Sequence, residues 1–417
     1  MKNNIFIFDD KISKNISFKD FFNGKLNDGI FSLKKKISKN KTFIARDAYG
    51  VKKIFYCFKK KKFFVADNFI DLKRKTKNQE IFSLPPGKIL IYDKKKNNRV
   101  FKNIKYKKKN EKINLNIFKK KILFFFKMLK KHYNEKCIIL LSGGLDSTII
   151  AYLAKQVFKE PIAVSATLLE KKEFNIYQKE KTIKYSNYPD LFKAQQIAKE
   201  LNVKFLPVIS SKKSIIKNLS KIMYSIQDWR DFNVHCGCLN YEIAKYLKRK
   251  NLVNIPIFTG DFMNEIFADY TSETFEKKEY YKQLNVSTFI RSKWLVKGLE
   301  TSDRENGIFN NFNLPLYQPY FRVIDLFKNL DKSFFKKFNK YNFNGKILPK
   351  RILRLVSKKK NRAQITDKEG GILGFFIKNN ITEEQLFKNF KKKFKFNSLW
   401  LKQFIVFGRY RVEDFNR

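Results

Sequence analysis

Eight consecutive residues, Leu141-Ser142-Gly143-Gly144-Leu145-Asp146-Ser147-Thr148, carry the clearest chemistry in this sequence. Two adjacent glycines let a backbone turn tightly enough to aim successive N–H groups at one anion. A helix starting near Thr148 would add the partial positive charge of its N-terminus, and Ser142, Ser147 and Thr148 offer hydroxyl donors. A carboxylate inside such a cradle repels phosphate, so Asp146 makes sense if it reaches a Mg²⁺ that bridges phosphate oxygens. No lysine stands where a Walker A loop carries one, which excludes the kinase-type phosphate loop.

The elements around this string must hold it at the end of a strand and the start of a helix. Cys137–Leu141 reads as a buried strand and Thr148–Phe158 as a helix. Strands at Ile162–Thr167, Val203–Ile209 and Ile255–Phe258 then alternate with helices at Leu191–Leu201, Ile215–Ile226 and Leu239–Lys248. That alternation predicts an α/β fold, a doubly wound parallel sheet. Ser165, at the end of the second strand, is positioned for adenine contact. Asp190 suits a helix N-cap, and Asp228, Arg230, Asp231 and His235, before the helix at Leu239, suit an ordinary polar loop or contact with an acceptor substrate. Beyond about Phe275 the chain reads as helix and loop.

The first hundred residues have a different texture. Apolar runs at Phe43–Ala45, Ile54–Phe58, Phe63–Ala66 and Ile89–Tyr92 are separated by Asp47, Gly50 and Pro85-Pro86-Gly87, a β-rich pattern. A helical period with lysines opposite runs from Asn114 to about Tyr133. The lysine-rich stretch Lys107–Lys112 marks a boundary, giving domains of 1–110 and 111–417.

Composition sets limits on function. The chain has 417 residues with 90 Lys+Arg against 38 Asp+Glu, a net charge of +52. A hydrophobic share of 43% with 45 Phe excludes a disordered basic tail. Lysine runs are scattered from Lys59 to Lys393, and Lys, Phe, Ile, Asn and Tyr rise together as A/T-rich codons would dictate. The charge therefore reads as surface composition, with nucleic acid disfavoured. No run approaches the ~20 apolar residues of a membrane span, and no signal peptide is visible, so a soluble cytoplasmic protein is expected. Four cysteines and two histidines give neither a disulfide framework nor a second half for a metal site at His235-Cys236-Gly237-Cys238.

Ser142-Gly-Gly-Leu-Asp-Ser147 resembles the pyrophosphate loop of the ATP pyrophosphatases. Two further strings narrow the resemblance to asparagine synthetase of the glutamine-hydrolysing type. Ala45-Arg46-Asp47-Ala48-Tyr49-Gly50-Val51-Lys52 is similar to a signature of that family's glutaminase domain, and Leu84-Pro85-Pro86-Gly87 to its closing Pro-Gly segment. Thr259-Gly260-Asp261-Phe262-Met263-Asn264-Glu265 resembles the synthetase-domain string Ser-Gly-Glu-Gly-x-Asp-Glu. Ser302-Asp303-Arg304 and Leu314-Pro315-Leu316 look loosely like two later elements. The resemblance runs from about Phe31 to about Phe376.

It implies an ATP pyrophosphatase domain of the adenine nucleotide α-hydrolase type, preceded by a β-rich remnant of an Ntn-type glutaminase. ATP with Mg²⁺ would bind at Leu141, Ser142, Gly143, Gly144, Asp146, Ser147, Ser165 and Gly260. Asp146, Asp261 and Glu265 would hold the metal, and Asp261, Glu265 and Lys368 would act in catalysis. The partners implied are a small carboxylate such as aspartate and an ammonia or amine donor, with a separate amidotransferase subunit and a homodimer both compatible. Departures are marked. Met1 is followed by Lys2 rather than by a nucleophilic Cys, Asn264 replaces the family's Asp, and Phe262 replaces its second Gly. A tRNA-modifying ATP pyrophosphatase and a non-catalytic scaffold are the two alternatives.

Overall fold

The computed structural model describes residues 5–7, 18–23, 30–48, 50–59, 62–76, 79–106, 114–229, 231–263, 304–327, 341–343, 346–348, 350–356 and 381–395. The chain divides into two compact units. One takes in Met1–Asn110, Val296–Asp303 and Phe387–Arg417, the other Glu111–Leu295 and Arg304–Leu386.

The first unit is built on two sheets. Strands β1 (Ile5–Ile7), β2 (Phe31–Lys36), β3 (Lys41–Arg46), β7 (Lys88–Asp93) and β8 (Asn98–Asn103) form one antiparallel sheet in the order β1-β2-β3-β7-β8. Strands β4 (Phe55–Lys59), β5 (Lys62–Ala66) and β6 (Phe82–Ser83) form a second, and helix α1 (Phe69–Thr76) follows β5. Alternation along β3 explains why the larger sheet is apolar on both faces. Phe43 and Ala45 join Phe21, Phe31, Leu33 and Ile89 in one core, while Ile44 joins Ile54, Tyr56, Leu84 and Leu90 in another. The four expected apolar runs are β3, β4, β5 and β7. The strands at β2 and β8 were not expected, because Lys34-Lys35-Lys36 and the largely exposed Asn98–Asn103 hide the strand period.

The second unit carries the parallel sheet. In chain order it contains α2 (Leu115–Tyr133), β9 (Lys136–Leu140), α3 (Leu145–Lys155), β10 (Glu160–Leu169), α4 (Lys171–Glu180), α5 (Pro189–Glu200), β11 (Lys204–Ser211), α6 (Lys212–Ile226), α7 (Asp231–Arg249), β12 (Ile257–Phe258) and β13 (Leu316–Tyr317). The strand order is β11-β10-β9-β12-β13, every pair parallel. The chain winds outward from β9 in one direction to β11, then returns to β12 and winds the other way. The reversal lies between β9 and β12, and a crevice outside the carboxyl ends of those strands is where such sheets bind ligands.

Several local expectations are corrected. α3 begins at Leu145 rather than Thr148, because Gly144 takes the extended N-cap conformation. Asp190 is not the N-cap of α5: Tyr188 holds that position, Pro189 follows, and Asp190 sits in the first turn, where its charge still favours the helix dipole. Asp231 and His235 lie inside α7 rather than in a loop before it. Past residue 275 the described chain is mainly helical, as expected, at 304–311, Pro319–Phe327, α8 (Arg351–Val356) and Glu383–Phe394, and what was not expected is β13 and a hairpin of β14 (Tyr341–Phe343) and β15 (Lys346–Leu348).

Candidate active site

The loop after β9 is held by its own hydroxyls. Ser147 Oγ donates to the Gly144 carbonyl oxygen (3.1 Å), and Thr148 Oγ1 donates to the same oxygen (2.8 Å). Ser142 N donates to Ser147 Oγ at 3.3 Å, and the two serine hydroxyls lie 3.2 Å apart. Ser147 and Thr148 are buried, and only Ser142 of the string is exposed. The expected hydroxyl donors thus include two that fasten the turn itself. Gly143 is required twice over: its φ is +80°, and a Cβ there would meet Lys193 Cβ at 2.6 Å where α5 begins.

The second string meets this loop. A Cβ on Gly260, just after β12, would lie 2.6 Å from Ser147 N and 2.8 Å from the Asp146 carbonyl carbon. Backbone therefore packs on backbone across the reversal between β9 and β12, and only glycine allows it. Asp261 follows directly, with Thr259 Oγ1 donating a short hydrogen bond to its Oδ2. Phe262 has φ +86°, the left-handed region where the resembled string has Gly, yet its ring is 1% exposed and packs 5.9 Å from the Phe321 ring. A bulky side chain at such a φ stores strain that packing must offset.

Lys350, Tyr320 and the Arg304–Glu305 pair lie around these two strings. Lys350, nearly buried, places Nζ 2.6 Å from Asp146 Oδ2. Tyr320, fully buried, donates to the Asp146 backbone carbonyl at 2.8 Å, and burial pushes its phenol well above the usual range. Arg304 Nε donates to Glu305 Oε1 at 2.6 Å, its Nη1 reaches Asn233 Oδ1 at 3.3 Å, and Asn240 Nδ2 donates to Glu305 Oε1 at 3.3 Å. Burial lifts the Glu305 carboxyl to about 8, with Arg304 opposing the shift and Asp261 adding to it. The Asp-Arg resemblance had singled out Arg304; adjacency to it was the one signal for Glu305.

The remaining expectations fall in three places. Ser165 is buried in β10 opposite Pro207 of β11. Burial raises the thiols of Cys236 and Cys238, both in α7, and no group of three or more metal-ligating side chains occurs among the described residues. Arg230, Asn264, Glu265, Ser302, Asp303 and Lys368 lie outside the described residues. For Mg²⁺ the donor chemistry is suitable, since carboxylate oxygens from one or two residues plus phosphate oxygens are its usual set. Asp146 and Asp261 are the described members, and Asp146 shares its charge with Lys350.

In the first unit the Arg46-Asp47 string has a structural task. Arg46, 1% exposed, donates to Lys52 O (2.8 Å), Leu84 O (2.8 Å), Ser83 Oγ (3.1 Å) and Gly50 O (2.5 Å). The Asp47 carboxylate accepts from Val51 N (3.0 Å) and Lys52 N (2.9 Å). The pair ties the turn 47–52 to the segment entering β7.

The structure is thus an open parallel α/β sheet with a glycine loop and, at its switch point, a buried lysine paired with a partly exposed carboxylate. Residues 132–322 match the family model for asparagine synthase. That span contains the loop at Ser142 and the string at Gly260 and supports an ATP-utilising ligase; Lys350 lies beyond it. No curated protein matches the chain significantly. Among solved structures, the NH3-dependent NAD synthetase of Campylobacter jejuni is 18% identical, over 43% of this chain and 78% of that one, with a TM-score of 0.27. The glutamine-dependent NAD+ synthetase of Acinetobacter baumannii is 13% identical over 53% and 37%, with a TM-score of 0.27. The NMN synthetase of Francisella tularensis is 12% identical over 73% and 100%, with a TM-score of 0.28. No described helix is long and apolar enough to cross a membrane.

Proposed function

We propose that this protein is an ATP-dependent amide-forming ligase of the asparagine synthetase type. A carboxylate, aspartate or a related acid, attacks the α-phosphate of ATP to give an acyl-adenylate and pyrophosphate. Ammonia or an amine then displaces AMP. The observation that carries the reading is the seating of Gly260 against Asp146 and Ser147, which sets the second acidic string beside the phosphate loop.

In this reading the backbone of Ser142–Ser147 receives the departing pyrophosphate, and Lys350 supplies positive charge where phosphate oxygens gather. Asp261 orients the attacking group, together with Glu265, and Lys368 is the further cation that the resemblance offers. Mg²⁺ arriving with the nucleotide would be held by Asp146, Asp261 and Glu265 and would neutralise phosphate charge. The first unit is a degenerate glutaminase-derived domain, and nitrogen comes as free ammonia, from a separate amidotransferase subunit, or as a substrate amine. The domains would be 1–110 and 111–417, in a cytoplasmic protein.

Carboxylate-dependent ATP–pyrophosphate exchange tests the proposal, with AMP rather than ADP scored. Exchange with aspartate or another acid, lost in Asp146→Ala, is the expected result. Release of ADP, or no exchange with any acid, overturns it. Detectable glutamine hydrolysis by the purified chain would overturn the reading of the first unit.

A further inference from the structure

A cavity of 490 Å³ opens at the carboxyl end of β11, between α6 and α7, with Phe174 of α4 on its wall. None of its lining residues belongs to the phosphate loop or to the Gly260 string. β11 is the edge strand, separated from β9 by β10, so this cavity is a second feature of the sheet's ligand-binding edge. Its volume is in the ordinary range for small-molecule sites, about 300–1,000 Å³.

The floor of the cavity is a finished polar network. Glu242, 5% exposed, accepts from Ser210 Oγ at 2.7 Å and from Ser214 Oγ at 2.9 Å. Lys245 Nζ lies 3.3 Å from Glu242 Oε2 and 2.9 Å from Ser214 Oγ. A buried acid held by three donors is costly to build unless it fixes something, and here it fixes an ammonium at the cavity wall. Lys213 and Lys217 stand one helical turn apart on α6, and Arg249 stands one turn beyond Lys245 on α7. Four cations thus line the cavity, and its one carboxylate is already held by Ser210, Ser214 and Lys245. The N-terminus of the 15-residue α6, capped by Ser211, adds its own partial positive charge. Tyr246 offers an aromatic surface, with the Arg249 guanidinium 5.4 Å from its ring centre.

Scattered surface lysines of this +52 chain do not require such a network; a concave cationic wall with a pre-set ammonium does point to a ligand. We infer that the α6–α7 cavity is a binding site for a phosphorylated small molecule, its phosphoryl group held by Lys213, Lys217, Lys245 and Arg249 and its organic part against Phe174 and Tyr246. The site is independent of the ATP loop.

Calorimetric titration of the full chain with ribose 5-phosphate, checked with inorganic phosphate alone, tests this. Binding is expected in the wild type and should weaken at least about tenfold in Lys217→Glu/Arg249→Glu. Both residues are exposed, so the double variant should keep its Tm and its ATP–pyrophosphate exchange. Gly260→Ala, which disturbs only the ATP loop, should keep ribose 5-phosphate binding. No binding by the wild type, binding unchanged in the double variant, or loss confined to Gly260→Ala would each overturn the site. So would displacement of ribose 5-phosphate by a single-stranded RNA whose own affinity falls in the same double variant, since the surface would then belong to nucleic acid.

Discussion

Lys350 Nζ and Asp146 Oδ2 are 2.6 Å apart, a nearly buried cation closing on a partly exposed carboxylate inside a loop shaped for anions. In the proposed reading the pair answers the difficulty that Asp146 raises in the sequence. A carboxylate in a phosphate cradle need not repel the nucleotide if a lysine holds its charge in check.

Truncating that lysine removes the Lys350–Asp146 ion pair. Lys350→Met is expected to destabilise the protein by about 3 kcal/mol, read by urea denaturation. It should also reduce pyrophosphate exchange by about a hundredfold. Adding Asp146→Asn should restore part of the stability and none of the activity. Full additivity of the two substitutions would show that the pair is not coupled.

The buried Glu305 predicts a pH dependence of definite sign. Its folded pKa, about 8, is raised above the ordinary carboxylate value by burial. A raised folded pKa gives stability that is fully present below the unfolded pKa and is lost as pH rises through the folded one. The Tm should therefore fall more steeply in the wild type than in Glu305→Gln, which keeps the protonated shape, as pH rises from the ordinary carboxylate value of 4.5 to about 8, where the loss is complete. Parallel profiles would contradict this.

Gly260→Ala drives a methyl group into the Ser147 amide nitrogen and the Asp146 carbonyl carbon. Both are backbone atoms, so the loop or the strand end must shift. A loss of about 1–3 kcal/mol and weaker ATP binding are expected from denaturation and titration with ATP.

Much of this arrangement was legible because it is local. The two glycines, the strand before them and the helix after them lie within one short stretch, and their types dictate a turn at a strand end. The parallel sheet followed from alternating apolar runs. Lys350 was not legible: it lies 204 positions from Asp146, and no spacing distinguishes it among 90 basic residues. The resemblance pointed to Lys368 for the late cation, a residue outside the described part of the chain. The direction of the Ser147 and Thr148 hydroxyls, inward to Gly144 O, depends on χ angles that no sequence pattern reports.

Phe262 is the position where propensity and structure conflict most. Phe262→Gly removes a buried ring, a loss of about 3–5 kcal/mol, but relieves about 1–2 kcal/mol of left-handed strain. It should therefore cost less stability than Phe321→Ala, which gives up packing in the same contact with no backbone relief. An equal or larger loss in Phe262→Gly, by urea denaturation, would mean that its backbone is unstrained.

Arg46 reaches both Gly50 O and Lys52 O from one guanidinium, while Asp47 reads the amides of Val51 and Lys52. Such a clasp gauges length. One residue added or removed between Asp47 and Lys52 would take both carbonyls and both amides out of register at once. The turn at Lys94–Asn97, exposed and bonded chiefly to Asp93, has no comparable gauge. Insertions should thus be borne freely at the β7–β8 hairpin and hardly at all in the β3–β4 connection, where a mechanical demand on length decides what the turn can hold.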